Sequence, residues 1–336
     1  MSQTRSNYRE PPRVGTAPVA PPDADEANEA EGGESEGELR CAVVSDAQAS
    51  WRLDRFLVSI ASEFSRSHLQ GLIERRHVRV DGLVQQQAAR RVRPGQRIEI
   101  ELVPTAQSVA YRAEPIALAV VYEDEHLLVL DKPAGMVVHP AAGNWSGTLL
   151  NALLAHHAGA AMLPRAGIVH RLDKDTSGLI VVAKTPEAAM SLARAIAARE
   201  VGREYLALAH GVPAQASFAI DAPIGRDPVR RVRMAVVAGG RPARTDVELV
   251  AASDGFSALR CRLHTGRTHQ IRVHLASRGL PLVGDTLYGG VPALGMVRQA
   301  LHAARLLLSH PVSNEAMHFE APLPADMAAA WRAVCG

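Results

Sequence analysis

Apolar residues near the start of the chain recur at helical spacing, and farther on they form short runs of strand length. Between residues 53 and 64 they fall every three or four positions, which predicts an amphipathic helix. A second helix is predicted through residues 69–73, with Ser65 or Ser67 as its N-cap. The segments that alternate like half-buried strands are 78–80 and 98–102. This pattern predicts a small α/β domain over residues 51–103.

Beyond residue 112, short apolar runs alternate with polar turns over the rest of the chain. Four of these runs have the length of strands: 118–122, 127–130, 179–184 and 203–208. Thr185-Pro186 is typical of a helix start, with threonine as the cap and proline at the first helical position. These runs and this helix start predict a second, larger domain over residues 112–336.

The first 45 residues lack this patterning. They are rich in Pro, Ala, Gly and Glu and cannot bury enough apolar surface to offset the entropy of ordering, so we predict a disordered acidic tail over residues 1–45. Residues 1–40 carry nine acids and four arginines, which leaves 33 bases against 26 acids in the remainder, a balance of +7. A basic body of this kind suits a polyanionic partner.

Composition limits the class of protein. A chain of 336 residues with 47% hydrophobic content is typical of a globular protein. No uninterrupted apolar run approaches the ~18 residues of a membrane span, and no apolar segment follows the N-terminus as in a secretory signal. Three widely spaced cysteines without a Cys-X-X-Cys pair argue against a metal or disulfide framework. We therefore expect a cytoplasmic protein with no metal site and no membrane association.

Chemically active side chains are densest at residues 168–178, Ile-Val-His-Arg-Leu-Asp-Lys-Asp-Thr-Ser-Gly. This stretch lies between two apolar runs, so its charged groups stand beside a buried strand, where unpaired charge is costly. The residues alone leave two interpretations equally open. One is a salt-bridged loop that caps the strand, and the other is a catalytic loop.

Three other segments are rich in polar groups. Arg-Glu-Tyr at 203–205 begins a predicted strand, where a tyrosine is usually a packing residue. Segment 262–274 carries three histidines at intervals of five, a spacing that neither a helix nor a strand brings to one face, so a metal site is not expected there. Six arginines form either a solvated surface or a surface that binds a polyanion: Arg226, Arg230, Arg231, Arg233, Arg241 and Arg244.

Residues 170–178, His-Arg-Leu-Asp-Lys-Asp-Thr-Ser-Gly, resemble the signature loop of the RluA-type RNA pseudouridine synthases. Lys-Pro-Ala-Gly at 132–135, the 203–211 strand and Gln-Ile-Arg-Val-His at 270–274 resemble further motifs of that family. Segment 141–149 is most similar to the branch that modifies large-subunit ribosomal RNA. The resemblance implies a pseudouridine synthase fold of the α+β class, with a mixed, largely antiparallel sheet, preceded by a small α/β RNA-binding domain.

The resemblance also implies roles for six residues of the larger domain. Asp173 is the implied catalytic aspartate, and Arg272 is expected to pair with it, since a guanidinium keeps a buried carboxylate ionised and in position. Tyr205 is expected to stack on the uracil and to act as a base. Arg171 is expected to fill the gap left by the extruded uridine. The residues expected to line the apolar side of the uracil are Leu172 and Ile271.

The module at 51–103 resembles the small RNA-binding domain named after ribosomal protein S4. Its second predicted helix carries a basic face that is either a solvated surface or a phosphate-binding one. By resemblance, this face is where the module meets RNA. The expected RNA-binding residues are Ser65, Arg66, Ser67, Arg75 and Arg76.

Two other functional classes compete with the synthase. His-Arg-Leu-Asp-Lys is weakly similar to the catalytic loop of protein kinases. A kinase also needs a Gly-rich loop and Asp-Phe-Gly, and the sequence has neither. A non-catalytic RNA-binding or ribosome-assembly factor would account for the basic module, but it has no need of a buried Asp–Arg pair.

The sequence therefore predicts an RNA pseudouridine synthase that uses no cofactor. The isomerisation has no redox change and no group donor, and no nucleotide-binding or zinc-protease motif is present. The expected partner is large-subunit ribosomal RNA or the pre-assembled large subunit, with no small-molecule cofactor. We expect the protein to act as a monomer.

Overall fold

Separate hydrophobic cores lie in the two parts of the chain that flank residues 103–109. The computed structural model describes residues 38–102, 110–141, 143–230 and 232–336. One core is built entirely from residues within 44–102. The others draw on residues between 118 and 334. Most of the predicted tail lies outside the described residues.

The first part is a four-stranded antiparallel sheet with two helices. Its elements are β1 (Glu38–Val43), α1 (Leu53–Ile60), α2 (Arg66–Glu74), β2 (Val78–Val80), β3 (Leu83–Val84) and β4 (Arg97–Leu102). The strand order is β1-β4-β2-β3. Both predicted helices and the strands β2 and β4 are confirmed, although α1 ends at Ile60 rather than at Phe64.

Strand β1 corrects the predicted tail. Residues 38–43 pair along the whole of β4, from Glu38 opposite Leu102 to Val43 opposite Arg97. The prediction that disorder extends to residue 45 was therefore wrong at its end, and ordered structure begins before residue 51. The side chains of β1 are mostly exposed, so its local sequence does not indicate a strand. Its backbone is ordered because β4 supplies the hydrogen-bond partners.

The second part contains a nine-stranded sheet with four helices and one separate hairpin. Its helices are α3 (Leu149–His156), α4 (Pro186–Ala197), α5 (Gln270–Ser277) and α6 (Ala325–Cys335). Its strands are β5 (Val120–Glu123), β6 (Leu127–Lys132), β7 (Ser177–Ala183), β8 (Gly202–His210), β9 (Ser217–Asp221), β10 (Ile224–Arg226), β11 (Met234–Val236), β12 (Arg244–Ser253), β13 (Phe256–Leu263), β14 (Leu301–Ser309) and β15 (Ala316–Glu320). The β10–β11 pair forms the hairpin.

The sheet is mixed and largely antiparallel, which confirms the predicted fold class. Its order is β5-β6-β7-β14-β8-β13-β12-β9, with β15 paired to β14. Only the short β7–β14 pairing is parallel among the described strands. Gly178 makes that pairing possible, because its φ is +110° and a Cβ there would lie 2.3 Å from the carbonyl oxygen of Ala303.

Alternation along the central strands separates two cores. On β7, Leu179 and Val181 face the core that includes α4, whereas Ile180 and Val182 face the core of α3 and α5. On β8, Tyr205 faces the second of these cores, and Leu208 packs with α6. In the described part of the chain, no helix is long and apolar enough to cross a membrane.

Candidate active site

A cleft of about 640 Å³ opens on the face of the sheet that carries Tyr205. It is lined by parts of three of the polar segments singled out in the sequence, at 168–173, 203–205 and 263–272. Of the six residues predicted for this site, all six line the cleft: Arg171, Leu172, Asp173, Tyr205, Ile271 and Arg272. The fold thus brings together segments that are up to about a hundred positions apart in sequence.

Asp173 and Arg272 form an ion pair at the bottom of this site. Arg272 Nη1 donates to Asp173 Oδ2 at 3.0 Å, and both side chains are largely buried. Arg272 is also held by Asp285, which accepts from its Nε at 2.8 Å and from its Nη2 at 3.0 Å. The bidentate contact with Asp285 fixes the plane of the guanidinium, and this orientation directs an N–H of Nη1 at Asp173.

Asp285 and Tyr288 are site residues that the sequence reasoning missed. The aromatic ring of Tyr288 lies 5.0 Å from the Arg272 guanidinium carbon. Its hydroxyl is 2.8 Å from His269 Nδ1 and accepts from the Met234 backbone N–H at 3.0 Å. The segment 284–288 resembles family sequence. The local sequence around Asp285, however, does not show that its partner is Arg272.

The charge state of Asp173 is set by opposing effects. Burial by itself raises the pKa of the carboxyl, whereas electrostatic interactions with His269, Arg272 and Arg171 lower it. The lowering effects win, so the pKa of Asp173 lies below its ordinary value and the side chain is a carboxylate at neutral pH. A carboxylate next to the bound substrate can attack carbon or stabilise developing positive charge.

Two buried polar side chains hold the loops of the site. Lys132 Nζ donates to the carbonyl oxygens of Pro133, Met136 and Lys174, which ties the loop after β6 to the turn after Asp173. Gln270 Oε1 accepts from Thr265 Oγ1 and from the backbone N–H of Arg267. These contacts give Lys132 a structural role beside the cleft.

The apolar side of the cleft is formed by Leu172, Ile271 and Tyr205. All three are at most 5% exposed and belong to the core beneath the sheet face. Burial raises the pKa of the Tyr205 phenol to about 12, so the phenol is neutral at pH 7. This favours a packing or stacking role for Tyr205 over that of a base.

Positive charge dominates the cleft. Among the described lining residues the only carboxylate is Asp173, whereas eight are arginines: Arg165, Arg171, Arg199, Arg203, Arg226, Arg241, Arg267 and Arg272. Of the six arginines predicted to form either a solvated surface or one that binds a polyanion, Arg226 and Arg241 lie here. Arg233 and Arg244 are paired with Asp227 and Asp246, Arg230 is exposed, and Arg231 lies outside the described residues.

The three histidines of the 262–274 segment have separate partners. His264 contacts Asp246 at 2.6 Å, His269 contacts Tyr288, and His274 Nδ1 contacts Thr245 Oγ1 at 2.9 Å. They lie in a loop and on α5, a helix that the sequence analysis did not predict.

The predicted RNA-binding residues of the first part lie on and beside α2. Ser65 is the N-cap of this helix, and its Oγ accepts from the His68 backbone N–H at 3.3 Å. Ser67, Arg75 and Arg76 are exposed. Arg66 instead donates to the buried Asp54 at 3.0 Å, with its side chain about half exposed. The exposed arginines at the end of α2 therefore remain the best candidates for phosphate contacts.

Buried histidines of the cleft make stability pH-dependent, and His170 and His139 have the largest shifts. Burial lowers the pKa of His170 to about 3 and that of His139 to about 4. Because the unfolded chain binds these protons first, their contribution to stability is complete above pH 6.5 and declines as pH falls toward 4. His170 Nε2 accepts from the Val181 backbone N–H at 3.0 Å, which a glutamine oxygen can imitate.

We expect the urea midpoint of the wild type to fall between pH 6.5 and 4.5. The slope should approach about 1.4 kcal/mol per pH unit for each linked proton. His170→Gln should flatten the decline, whereas His318→Gln, at a histidine with an exposed side chain, should leave it unchanged. Identical pH profiles for wild type and His170→Gln would contradict the assignment.

Comparisons with known proteins agree with this geometry. A family model described as RNA pseudouridylate synthase matches residues 126–277, and an S4 domain model matches residues 51–98. A protein of Nitrosomonas europaea named ribosomal large subunit pseudouridine synthase D is 48% identical over 299 residues, which cover 87% of this chain and 86% of the relative. A protein of the same name from Xanthomonas campestris is 46% identical over 305 residues, with 86% and 90% covered.

Solved structures give the same result for the fold. Human RNA pseudouridylate synthase domain containing 1 superposes with a TM-score of 0.52 at 28% identity, covering 65% of this chain and 89% of that one. Human RNA pseudouridylate synthase domain containing 4 gives 0.51 at 22% identity, covering 64% and 92%, and supports the fold alone. Together with relatives close to half identical over most of their length, these matches show that the chain belongs to the RNA pseudouridylate synthase family.

Proposed function

We propose that this protein isomerises uridines of large-subunit ribosomal RNA to pseudouridine, in a stem-loop of that RNA. The observation that carries the proposal is the ionised Asp173, held by Arg272 inside a cleft that eight arginines line. The names of the relatives support this class of RNA as substrate. The non-catalytic alternative gives no reason for a carboxylate at the centre of a polyanion-binding cleft.

The reaction breaks the bond between the sugar and N1 of uracil and forms a bond from the same sugar carbon to C5. The proton of C5 is removed and N1 gains a proton, so the composition of the nucleotide is unchanged. No electron donor or transferred group is needed. Asp173 is the group that engages the reacting nucleotide, and Arg272 keeps it ionised and fixed in direction. Leu172 and Ile271 enclose the apolar side of the uracil, and Tyr205 stacks on it as a neutral phenol.

A uridine in a folded RNA must leave its base stack to reach Asp173. Arg171 is exposed and lies at the cleft two residues before Asp173. Its planar cation is suited to the place that the extruded base vacates. This proposed role accounts for a side chain that borders the site without being buried in it.

The first domain serves as a second anchor for RNA in this proposal. Arg75 and Arg76 lie exposed at the end of α2. Replacing both with glutamine should weaken RNA affinity and reduce the slope of log affinity against log salt by about two, since each phosphate contact contributes about 0.9. The same double change at Arg260 and Arg305, which are ion-paired on the larger sheet, is the matched control. An unchanged slope in the Arg75/Arg76 variant would remove α2 from the RNA interface.

The proposed activity is tested by proton release from C5-tritiated uridine in large-subunit ribosomal RNA. The assay is run on free RNA and on intact large subunits, because either form can be the substrate. Release by the wild type supports the proposal. If neither RNA form loses tritium while the protein still binds both, the protein is an RNA-binding or ribosome-assembly factor.

We also propose that the protein works as a monomer in the cytoplasm, where its substrate is assembled. The linked ion pairs of Asp173, Arg272 and Asp285 are formed within one polypeptide. The three cysteines are free thiols, as in a reducing compartment.

A further inference from the structure

Arg203 is a buried cation of the cleft whose charge nothing in the described chain balances. It is 5% exposed and lies on β8 two positions before Tyr205, on the same face of the sheet. Its Nε has no hydrogen-bond partner, and it forms no ion pair with a described carboxylate. A buried, unpaired charge is strongly unfavourable in a folded protein.

Arg272 provides the internal comparison. It is equally buried and lines the same cleft, yet two carboxylates, Asp173 and Asp285, neutralise it. The fold therefore supplies carboxylate counter-ions to another buried arginine of the same cleft. The absence of one at Arg203 indicates that its counter-ion arrives from outside.

The surroundings of Arg203 are those of a binding site for an anion. Its Nη1 lies close to Gly266, where a Cβ would approach to 3.0 Å, so glycine leaves room for the guanidinium beside the loop that follows β13. His170 supplies a second donor without a partner in this cleft. Because its Nε2 accepts from Val181, its proton is on Nδ1, and that nitrogen is buried and unpaired among the described residues.

We propose that Arg203 binds a phosphodiester group of the RNA segment that enters the cleft, and so holds the backbone of the target strand against β8. The inference rests on the proposed function and adds a contact to it. A phosphodiester supplies both the negative charge that Arg203 lacks and two acceptor oxygens for neighbouring donors. In this proposal Asp173 contacts the reacting nucleotide, whereas Arg203 positions the RNA strand that contains this nucleotide.

The test measures binding of labelled oligouridylate as a function of salt. Arg203→Met keeps the length of the side chain and removes its charge. We expect its affinity to fall about tenfold and its salt slope to decrease by about 0.7, the value for one phosphate contact on a single strand. Arg203→Lys should restore most of the slope. Arg260→Met, at an exposed arginine paired with Glu248 outside the cleft, should behave as wild type.

Two further measurements separate this role from others. With an uncharged methylphosphonate oligouridine, wild type and Arg203→Met should bind equally. A difference that persists there would assign Arg203 to the base and overturn the phosphate contact. The melting temperature of free Arg203→Met should equal or exceed that of wild type, since an unbalanced charge is removed. A marked decrease would make Arg203 a structural residue and overturn the proposal.

Failure of this inference differs from failure of the proposed function. An unchanged salt slope in Arg203→Met, with tritium release by the wild type intact, rejects only the Arg203 contact. Loss of the slope in a protein whose wild type releases no tritium supports the contact and rejects the isomerase.

Discussion

Asp173→Asn should abolish tritium release, with a loss of at least about 10³-fold, while RNA binding persists. Asparagine keeps the shape of the side chain and can accept from Arg272 Nη1, but it carries no negative charge. Arg272 retains both bonds to Asp285, so the cleft should keep its form. Affinity for RNA should be equal or slightly higher, because the only carboxylate among the described cleft residues has gone.

The matched control is Asp175→Asn, two positions along the same loop. The side chain of Asp175 does not line the cleft, and its carbonyl oxygen accepts from Arg298 Nη1 at 2.9 Å. This variant should release tritium at nearly the wild-type rate. Equal rates of tritium release for Asp173→Asn and wild type would show that Asp173 is not a catalytic residue. If Asp173→Asn loses RNA binding together with activity, Asp173 contributes to RNA binding.

Asp285→Asn should reduce both stability and rate, although Asp285 does not line the cleft. An asparagine offers one oxygen and one NH₂ to a guanidinium that needs two acceptors, so one bond becomes a contact between two donors. Breaking a buried ion pair from one side typically costs about 3–5 kcal/mol, and the side chain of Asp285 is 1% exposed. We expect a loss of about 3 kcal/mol in the free energy of unfolding, since Asp173 remains as a partner.

The rate should also fall by about 10²-fold, because a displaced Arg272 no longer fixes Asp173 in direction. Asp326→Asn is the control for the stability effect. Asp326 makes the same bidentate contact with Arg298, at 2.8 and 3.0 Å, but its side chain is 43% exposed. The free energy of unfolding of Asp326→Asn should fall by at most about 1 kcal/mol. Similar losses for the two variants would show that burial does not govern the Arg272–Asp285 pair.

Local pattern predicted the elements of this fold wherever the chemistry was local. The caps at Ser65 and Thr185 are confirmed, because a cap is one side-chain oxygen and one nearby backbone N–H. Strand β7 was predicted from its apolar run, since it is buried on both faces. Helix α5 was missed, because all of its first six residues, including polar Gln270 and His274, are buried and it has no amphipathic stripe.

The candidate site divides in the same manner. Family resemblance selected Asp173 and Arg272, and the structure gives their pairing a distance of 3.0 Å. Asp285 was overlooked because its role depends on contact with Arg272, which lies on α5, a helix that begins fifteen positions earlier. Arg66 was placed among the RNA contacts because its pairing with Asp54, twelve positions away, is not visible in a helical wheel of α2.

By itself, the sequence determined the order of most helices and strands and the basic balance of the body, because these depend on spacing and composition, which a linear chain displays directly. Its resemblance to a known family supplied the α+β class and the catalytic interpretation of the three segments that line the cleft. Tertiary structure alone decided that β1 is ordered, that Asp285 orients Arg272, and that Arg203 has no counter-ion among the residues that the structure describes. Each of these concerns the partner of a backbone or charged group, and partners distant in sequence are set only when the chain has folded.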